Sequence, residues 1–427
     1  MKILSILIFF LFLLNCSFDD KTGIWQNSND ISKKNKNELS DFKKIYTEQK
    51  LFNEIIPPEN NLQVSLENIK ENLTWNDEFY QGSNNLENFD YEDFNKIAFK
   101  SKRISKYKIG KKILFDGENA IFTDNKGNIF VYSIVLQKVV LKYNFYKKKF
   151  KNIKKKLHIK IEKNKVYVAD NLGYLYSLDY EMKKLLWAKN FKIPFRSNVK
   201  IIKDKLIFAD SDNFGYLYAL DYENKKLLWA KNFKIPFRSN IKIYGNKIIT
   251  SDQNNILHII NKFNGMQLKF IPTEETTIKN DFVNSLALYG DSLIYLNTFG
   301  SLYSINTQNL KINWFTNFKQ SLDLNTTNLF YSNPVVIFKD KIIVSTDPYL
   351  YLLNINNGSI IFRTPITSIV KPVISEKNLF IITKDNLLVC INIDTGKIIY
   401  SLNISNEIAN FLDTKKKSIS IKSLSLA

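Results

Sequence analysis

The strongest constraint on this chain is a near-perfect internal copy. Residues 172–201 read LGYLYSLDYEMKKLLWAKNFKIPFRSNVKI, and residues 214–243 read FGYLYALDYENKKLLWAKNFKIPFRSNIKI; 26 of the 30 positions are identical at an offset of 42. A module repeated at that spacing is one supersecondary unit that buries its apolar faces against its neighbours. Weaker copies lie at 119–143, 246–270, 291–314, 340–362 and 377–400. The place of Trp187 and Trp229 is taken by Trp314, Phe362 and Tyr400, and by Leu141 and Lys269 in two units. Seven units are therefore recognisable.

Each unit repeats one pattern. A run such as Val166–Ala169 reads as a strand, and Asp170-Asn171-Leu172-Gly173 supplies a turn, because Asn and Gly tolerate positive φ. Tyr174–Leu178 reads as a second strand, Asp179–Lys183 as a polar turn and Lys184–Trp187 as a third strand. Asn198–Ile202 then opens the next unit. With 32 Phe and 22 Tyr against 13 Gly, the composition favours strands. Four short strands per module of about 42 residues predict an all-β fold: a β-propeller of four-stranded antiparallel blades. Segment 94–109 and the stretch after Ile404 both read as strand, and together they could complete one more blade. The prediction is eight blades, with seven as the alternative.

The beginning of the chain is of another kind. Lys2 precedes an apolar run from Ile3 to Leu14 that ends at Asn15-Cys16. Twelve residues rise only about 18 Å as a helix, short of the roughly 30 Å hydrocarbon core. The stretch reads as a secretory signal. Leu13-Leu14-Asn15-Cys16 resembles the bacterial lipobox, with Asn15 where a small residue is usual, and this implies lipidation of Cys16. Ser17, in place of Asp, is compatible with sorting to the outer membrane. The expected division is a lipoprotein signal peptide over 1–15, a polar tether over 16–68 and the propeller domain over 69–427.

The pattern Gly-x-Leu-Tyr-Ser/Ala-Leu-Asp…Lys-Leu-Leu-Trp at 173–187 and 215–229 resembles the quinoprotein-type propeller repeat over about 119–400. Two relatives use such blades: quinone-dependent alcohol dehydrogenases, and BamB, the propeller lipoprotein family of the outer-membrane β-barrel assembly machinery. The chain is shorter than the dehydrogenases, lacks their adjacent cysteines and carries the lipobox-like start, so it is more similar to the assembly family. Asn72-Leu73-Thr74-Trp75, followed by Gly82-Ser83-Asn84 and Phe99, resembles an N-terminal segment of α-proteobacterial members. The resemblance implies a non-catalytic scaffold at the periplasmic face of the outer membrane. Its partners would be the β-barrel insertase and unfolded outer-membrane proteins. An interaction propeller with another envelope partner and a periplasmic dehydrogenase are the alternatives.

Residue chemistry points the same way. His158 and His258 sit singly in apolar strands without a carboxylate at metal spacing, and Cys390 has no intrachain partner once Cys16 is lipidated. Asp124, Asp170, Asp212 and Asp252 recur at one turn of successive units, so they cannot converge on a calcium ion. No catalytic residue, metal or cofactor is expected. The net charge of +20 is carried almost wholly by Lys, with four Arg, which suits compositional drift better than nucleic-acid recognition. Attraction to anionic lipid or an acidic partner stays open, above all at the run Lys147–Lys156. Trp187, Trp229, Trp314, Phe362 and Tyr400 are expected to pack between blades. Phe195-Arg196 and Phe237-Arg238, in the twin IPFRSN loops, combine the residue types of interface hot spots and are the expected partner-binding residues.

Overall fold

The computed structural model describes residues 16–18, 25–27, 51–68, 82–86, 88, 421, 424 and 102–411, the last without 193, 196–198, 203–204, 210–214, 276–282 and 319–329. Two units are distinguished, Met1–Lys50 and Leu51–Ala427. Within the first, Cys16–Phe18 pairs antiparallel with Trp25–Asn27.

The second unit is built from seven four-stranded antiparallel sheets, each a simple meander in chain order. Sheet 1 comprises Ile109–Phe115, Asn119–Asp124, Asn128–Ser133 and Lys138–Asn144, and sheet 2 comprises Leu157–Glu162, Lys165–Asp170, Tyr174–Asp179 and Lys184–Asn190. Sheet 3, the near-identical copy, comprises Lys200–Ile202, Lys205–Ala209, Tyr216–Asp221 and Lys226–Asn232. Sheets 4, 5 and 6 begin at Lys242–Tyr244, Ser285–Tyr289 and Val336–Phe338 and end at Gln267–Ile271, Ile312–Asn317 and Ile360–Thr364. Sheet 7 comprises Val373–Ser375, Asn378–Ile382, Leu387–Asn392 and Ile398–Asn403. The fold is a β-propeller. Among the described residues the count of four-stranded sheets is seven, the lower of the two expected.

Burial explains the sequence pattern. The middle strands are covered on both faces, so Asn128–Ser133 is buried at every position, while the outermost Lys138–Asn144 alternates with solvent. Ile121, Ile129 and Val131 of sheet 1 pack on Val166, Val168 and Leu178 of sheet 2. Sheet 2 in turn presents Tyr167, Ala169 and Leu175 to Leu206, Phe208 and Tyr218 of sheet 3. Each such buried side chain contributes about 1.5–3 kcal/mol. The first strands of successive sheets lie side by side, so their free edges converge.

A second regularity was not anticipated. In all seven sheets the register shifts by one residue between the third and fourth strands, immediately before the position held by Trp187, Trp229, Trp314, Phe362, Tyr400, Leu141 or Lys269. A bulge of this kind increases twist and re-aims the following side chain.

The chain ends meet at sheet 7. Its outward face, Val373, Phe380 and Cys390, is covered by Val64, Leu66, Leu86 and Leu424. Ile56 bridges Ser401 on the outer strand, Phe52 N–H donates to Pro365 O at 3.1 Å, and Glu67 N–H donates to Ser375 Oγ at 2.7 Å. The last part of the stretch expected as tether is therefore docked; the bridge satisfies a sheet edge that would otherwise stay open. The stretch after Ile404, expected as strand, opens instead with an α-helix, α1 (Ile404–Phe411). Asn403 Oδ1 accepts the Asn406 amide at 3.2 Å, and this cap starts a helix where the strand ends.

Candidate functional site

The aromatic position behind each bulge reaches into the following sheet. Trp229 Nε1 donates to Lys262 O at 3.3 Å, and Trp314 Nε1 donates to Ile355 O at 2.8 Å. Under each indole lies a glycine of the next sheet's polar turn: a Cβ on Gly265 would stand 2.6 Å from Trp229, and one on Gly358 would stand 2.4 Å from Trp314. Phe362 covers Gly396 in the same way, Trp187 packs among sheet 2 and sheet 3 residues, and Tyr400 lies beside Cys390. A second inter-sheet link joins Tyr180 OH to Asp116 Oδ2 at 2.6 Å. Burial pushes the Asp116 carboxyl up, but the hydrogen bonds from Tyr180, Glu118 N–H and Asn119 outweigh it and hold it below the usual range.

The repeated acids close turns. Asp124 Oδ1 accepts the amides of Lys126 and Asn128, Asp170 Oδ1 those of Leu172 and Tyr174, and Asp252 Oδ1 those of Asn254 and Ile256. Asn297 does the same for Phe299 and Ser301. The second oxygen of Asp252 meets His258 Nε2 at 2.8 Å, with both residues buried. Among the described residues no three His, Cys, Asp or Glu side chains gather as a metal site. Asp212 lies outside the described residues, as does Arg196.

The twin loops depart from expectation. Phe195 and Phe237 are 0% and 1% exposed, so neither ring can touch a partner. Phe195 N–H donates to Asp170 O at 2.9 Å, and its ring meets Phe191 and Phe208 edge-on; Phe237 bridges Asp252, and its ring packs on Phe233 and His258. The loop crosses the end of the inter-sheet core, and the residue after the proline turns inward to close it. Arg238 remains half-exposed, with Nη2 donating to Gln253 Oε1 at 3.2 Å. Cys390 is buried among apolar side chains, and burial pushes its thiol up to about 12.

The converging inner edges hold a group of residues whose role the sequence did not disclose. Residues 82–86 lie along the free edges of the first strands of sheets 5, 6 and 7. Leu288 N–H donates to Gly82 O at 2.9 Å, and Ile337 N–H to Ser83 O at 2.9 Å. Asn84 Nδ2 donates to Leu286 O at 3.0 Å and Val335 O at 2.7 Å. Asn85 exchanges both hydrogen bonds of its amide with the backbone of Ile374. The ammonium of Lys242 donates to Asn84 Oδ1 and that of Lys371 to Asn84 O. Gly82 is required by proximity, since a Cβ there would lie 2.9 Å from Leu288 O.

The family described as the outer membrane protein assembly factor BamB matches residues 151–364, half of the chain. The chain belongs to the BamB family. Among solved structures, BamB from Moraxella catarrhalis aligns at a TM-score of 0.54 and 13% identity, covering 68% of this chain and 87% of that one. The computationally designed Ika8 protein aligns at 0.54 and 11%, covering 76% and 92%. A europium-containing methanol dehydrogenase aligns at 0.57 and 11%, covering 77% and 85%. At these identities the likenesses show a shared propeller fold. A comparison with curated proteins by sequence gave no match. The chain has no adjacent cysteines, and its segment 82–86 lies along the inner edges of three sheets. Among the described residues no helix is long and apolar enough to cross a membrane.

Proposed function

We propose that this BamB-family chain is a non-catalytic scaffold lipoprotein of outer-membrane β-barrel assembly. Residues 1–15 direct export, a lipid on Cys16 holds the chain at the periplasmic face of the outer membrane, and propeller loops bind the insertase, unfolded outer-membrane proteins or both. The family match over the repeats carries this reading. The occupied inner edges of sheets 5, 6 and 7 support it, because on those sheets binding is left to loops and outer strands, where extended segments can pair with exposed backbone. Of the four loop residues expected to dock, Arg238 is placed half-exposed and Arg196 is its copy in the twin loop.

Crosslinking in native envelopes, followed by mass spectrometry, tests the reading. Recovery of the insertase is expected, together with an N-terminal peptide that begins at acylated Cys16. Recovery of other envelope proteins alone would transfer the chain to the alternative role of an unrelated interaction propeller. The joint substitution Arg196→Glu and Arg238→Glu is expected to weaken the insertase crosslink at least tenfold; undiminished crosslinking removes the docking assignment. The methanol dehydrogenase likeness motivates one further measurement, dye reduction with alcohols after reconstitution with quinone and calcium. Turnover there would overturn the scaffold reading.

A further inference from the structure

The densest run of positive charge, Lys147–Lys156, folds into one side of a cleft of about 350 Å³ between sheet 1 and the connection that leads from it to sheet 2. Lys126, Lys142, Lys147, Lys148, Lys151 and Lys155 line it, with Tyr107, Tyr146, Asn128 and Asn144 between them and no carboxylate on its wall. None of the six lysines forms an ion pair among the described residues.

Two of the ammoniums are fixed by the chain itself. Lys155 is only 4% exposed; its Nζ lies 5.2 Å from the centre of the Tyr146 ring and donates to Phe150 O. Lys126 Nζ lies 5.6 Å from the Tyr107 ring and donates to Lys151 O at 3.1 Å. Tyr146 is held in turn by its hydroxyl, which donates to Asp170. Asp124, beside the cleft, spends its oxygens on Ser105, on Asn128 and on the amide of Lys126 in its own turn. Burial first, and then the neighbouring Lys126, push the Lys155 ammonium down. Asp124 attracts the Lys155 ammonium but does not offset burial and Lys126, so the like charges are only partly compensated, and a bound anion would relieve the remaining repulsion.

The geometry points to a binding site for a phosphate monoester in this cleft. A phosphate presents several oxygens and close to two negative charges, enough to engage several ammoniums at once; a carboxylate, with one charge, would leave most of the field uncompensated. Genome-wide lysine enrichment can place lysines on any surface, but it does not gather six on one concave wall and bury one against an aromatic ring. The site stands apart from the assembly role, and neither depends on the other.

Two probes separate the sources of phosphate: phosphatidylcholine vesicles with a minority of phosphatidic acid, whose headgroup is a phosphate monoester, read by flotation, and glycerol phosphate with inorganic phosphate, read by titration calorimetry. Both are applied to the purified wild-type chain and to two charge-matched triple variants. The cleft variant carries Lys147→Gln, Lys148→Gln and Lys151→Gln; the control carries Lys184→Gln, Lys226→Gln and Lys231→Gln, all at exposed positions. At about fivefold per lysine, the cleft variant is expected to bind roughly a hundredfold more weakly while the control keeps most of its binding. Loss confined to vesicles supports the site and identifies a phospholipid headgroup; loss confined to the soluble ligands supports it and identifies a soluble phosphate. Wild-type protein that binds neither probe, a cleft variant that retains both, or equal loss in the two variants would each overturn it.

Discussion

Placing a methyl group under Trp314 tests how neighbouring sheets are joined. Gly358 has φ +71°, and an added Cβ would lie 2.4 Å from the indole Cε3. Gly358→Ala therefore incurs the left-handed conformation, about 1–2 kcal/mol, and displacement of a packed ring, about 1–3 kcal/mol. Moving the ring also endangers the bond from Trp314 Nε1 to Ile355 O, worth about 0.5–1.5 kcal/mol. The expected sum is about 2.5–6.5 kcal/mol. Gly245→Ala is the internal control: its φ is +56°, and nothing lies within 4 Å of the added Cβ, so only the conformational part, about 1–2 kcal/mol, applies. Any gain from a stiffer unfolded chain is common to both and cancels in the difference. Urea unfolding followed by circular dichroism, with unchanged slope, should separate the two variants by about 1.5–4.5 kcal/mol. Two variants that unfold within about 0.5 kcal/mol of each other, inside ordinary extrapolation error, would refute the inter-sheet role given to the indole.

Three further outcomes follow from the described contacts. Asn84→Ala removes two carbonyl acceptances and the anchor for the Lys242 ammonium, and should destabilise the chain by about 2–5 kcal/mol while making the 82–88 segment more sensitive to limited proteolysis; unchanged proteolysis contradicts the edge-holding role. Because the Asp116 carboxyl is held low when folded, its contribution is present above the unfolded value near 3.9 and is lost as pH falls through the folded value. The stability gap between wild type and Asp116→Asn should accordingly be steady at neutral pH and narrow in acid; a gap that widens in acid is the wrong sign. In a Cys16→Ser background, Cys390, buried and pushed up to about 12, should react with a thiol reagent at mildly alkaline pH only as fast as the chain opens, and rapid labelling of the native protein would contradict its burial.

Local pattern carried the sheets but not everything they hold. The strand runs, the Asx turns at Asp124, Asp170 and Asp252 and the place of each module were legible, because a strand covered on both faces and a side chain closing its own turn are determined within a few residues. The bulge before Trp187 or Trp229 was not, since one extra residue in a fourth strand appears only when pairing with the third is known. Phe195 and Phe237 were misplaced because a loop sequence does not tell which side faces the core; their fixed distance from a following or preceding Asp turn was the available signal. Asn84 and Asn85 act on carbonyls 202, 251 and 289 residues away, so nothing near them in the chain announces their partners. The helix Ile404–Phe411 began where alternation suggested strand, because the Asn403 cap decided the local competition.

The bridge between Ile56 and Ser401 joins residues 345 positions apart. A segment made early must therefore stay uncommitted until nearly the whole polypeptide has appeared, since its hydrogen-bonding groups belong to the last sheet formed. Such distant contacts slow folding, because the entropy of closing the largest loop is spent before its reward arrives. Until then the outer strand at Ser401 is an open template, and a second molecule's Ile56 segment fits it as well as the molecule's own. Crowded newly made chains should thus exchange these ends, and dimers linked through them are the foreseeable misfolded product.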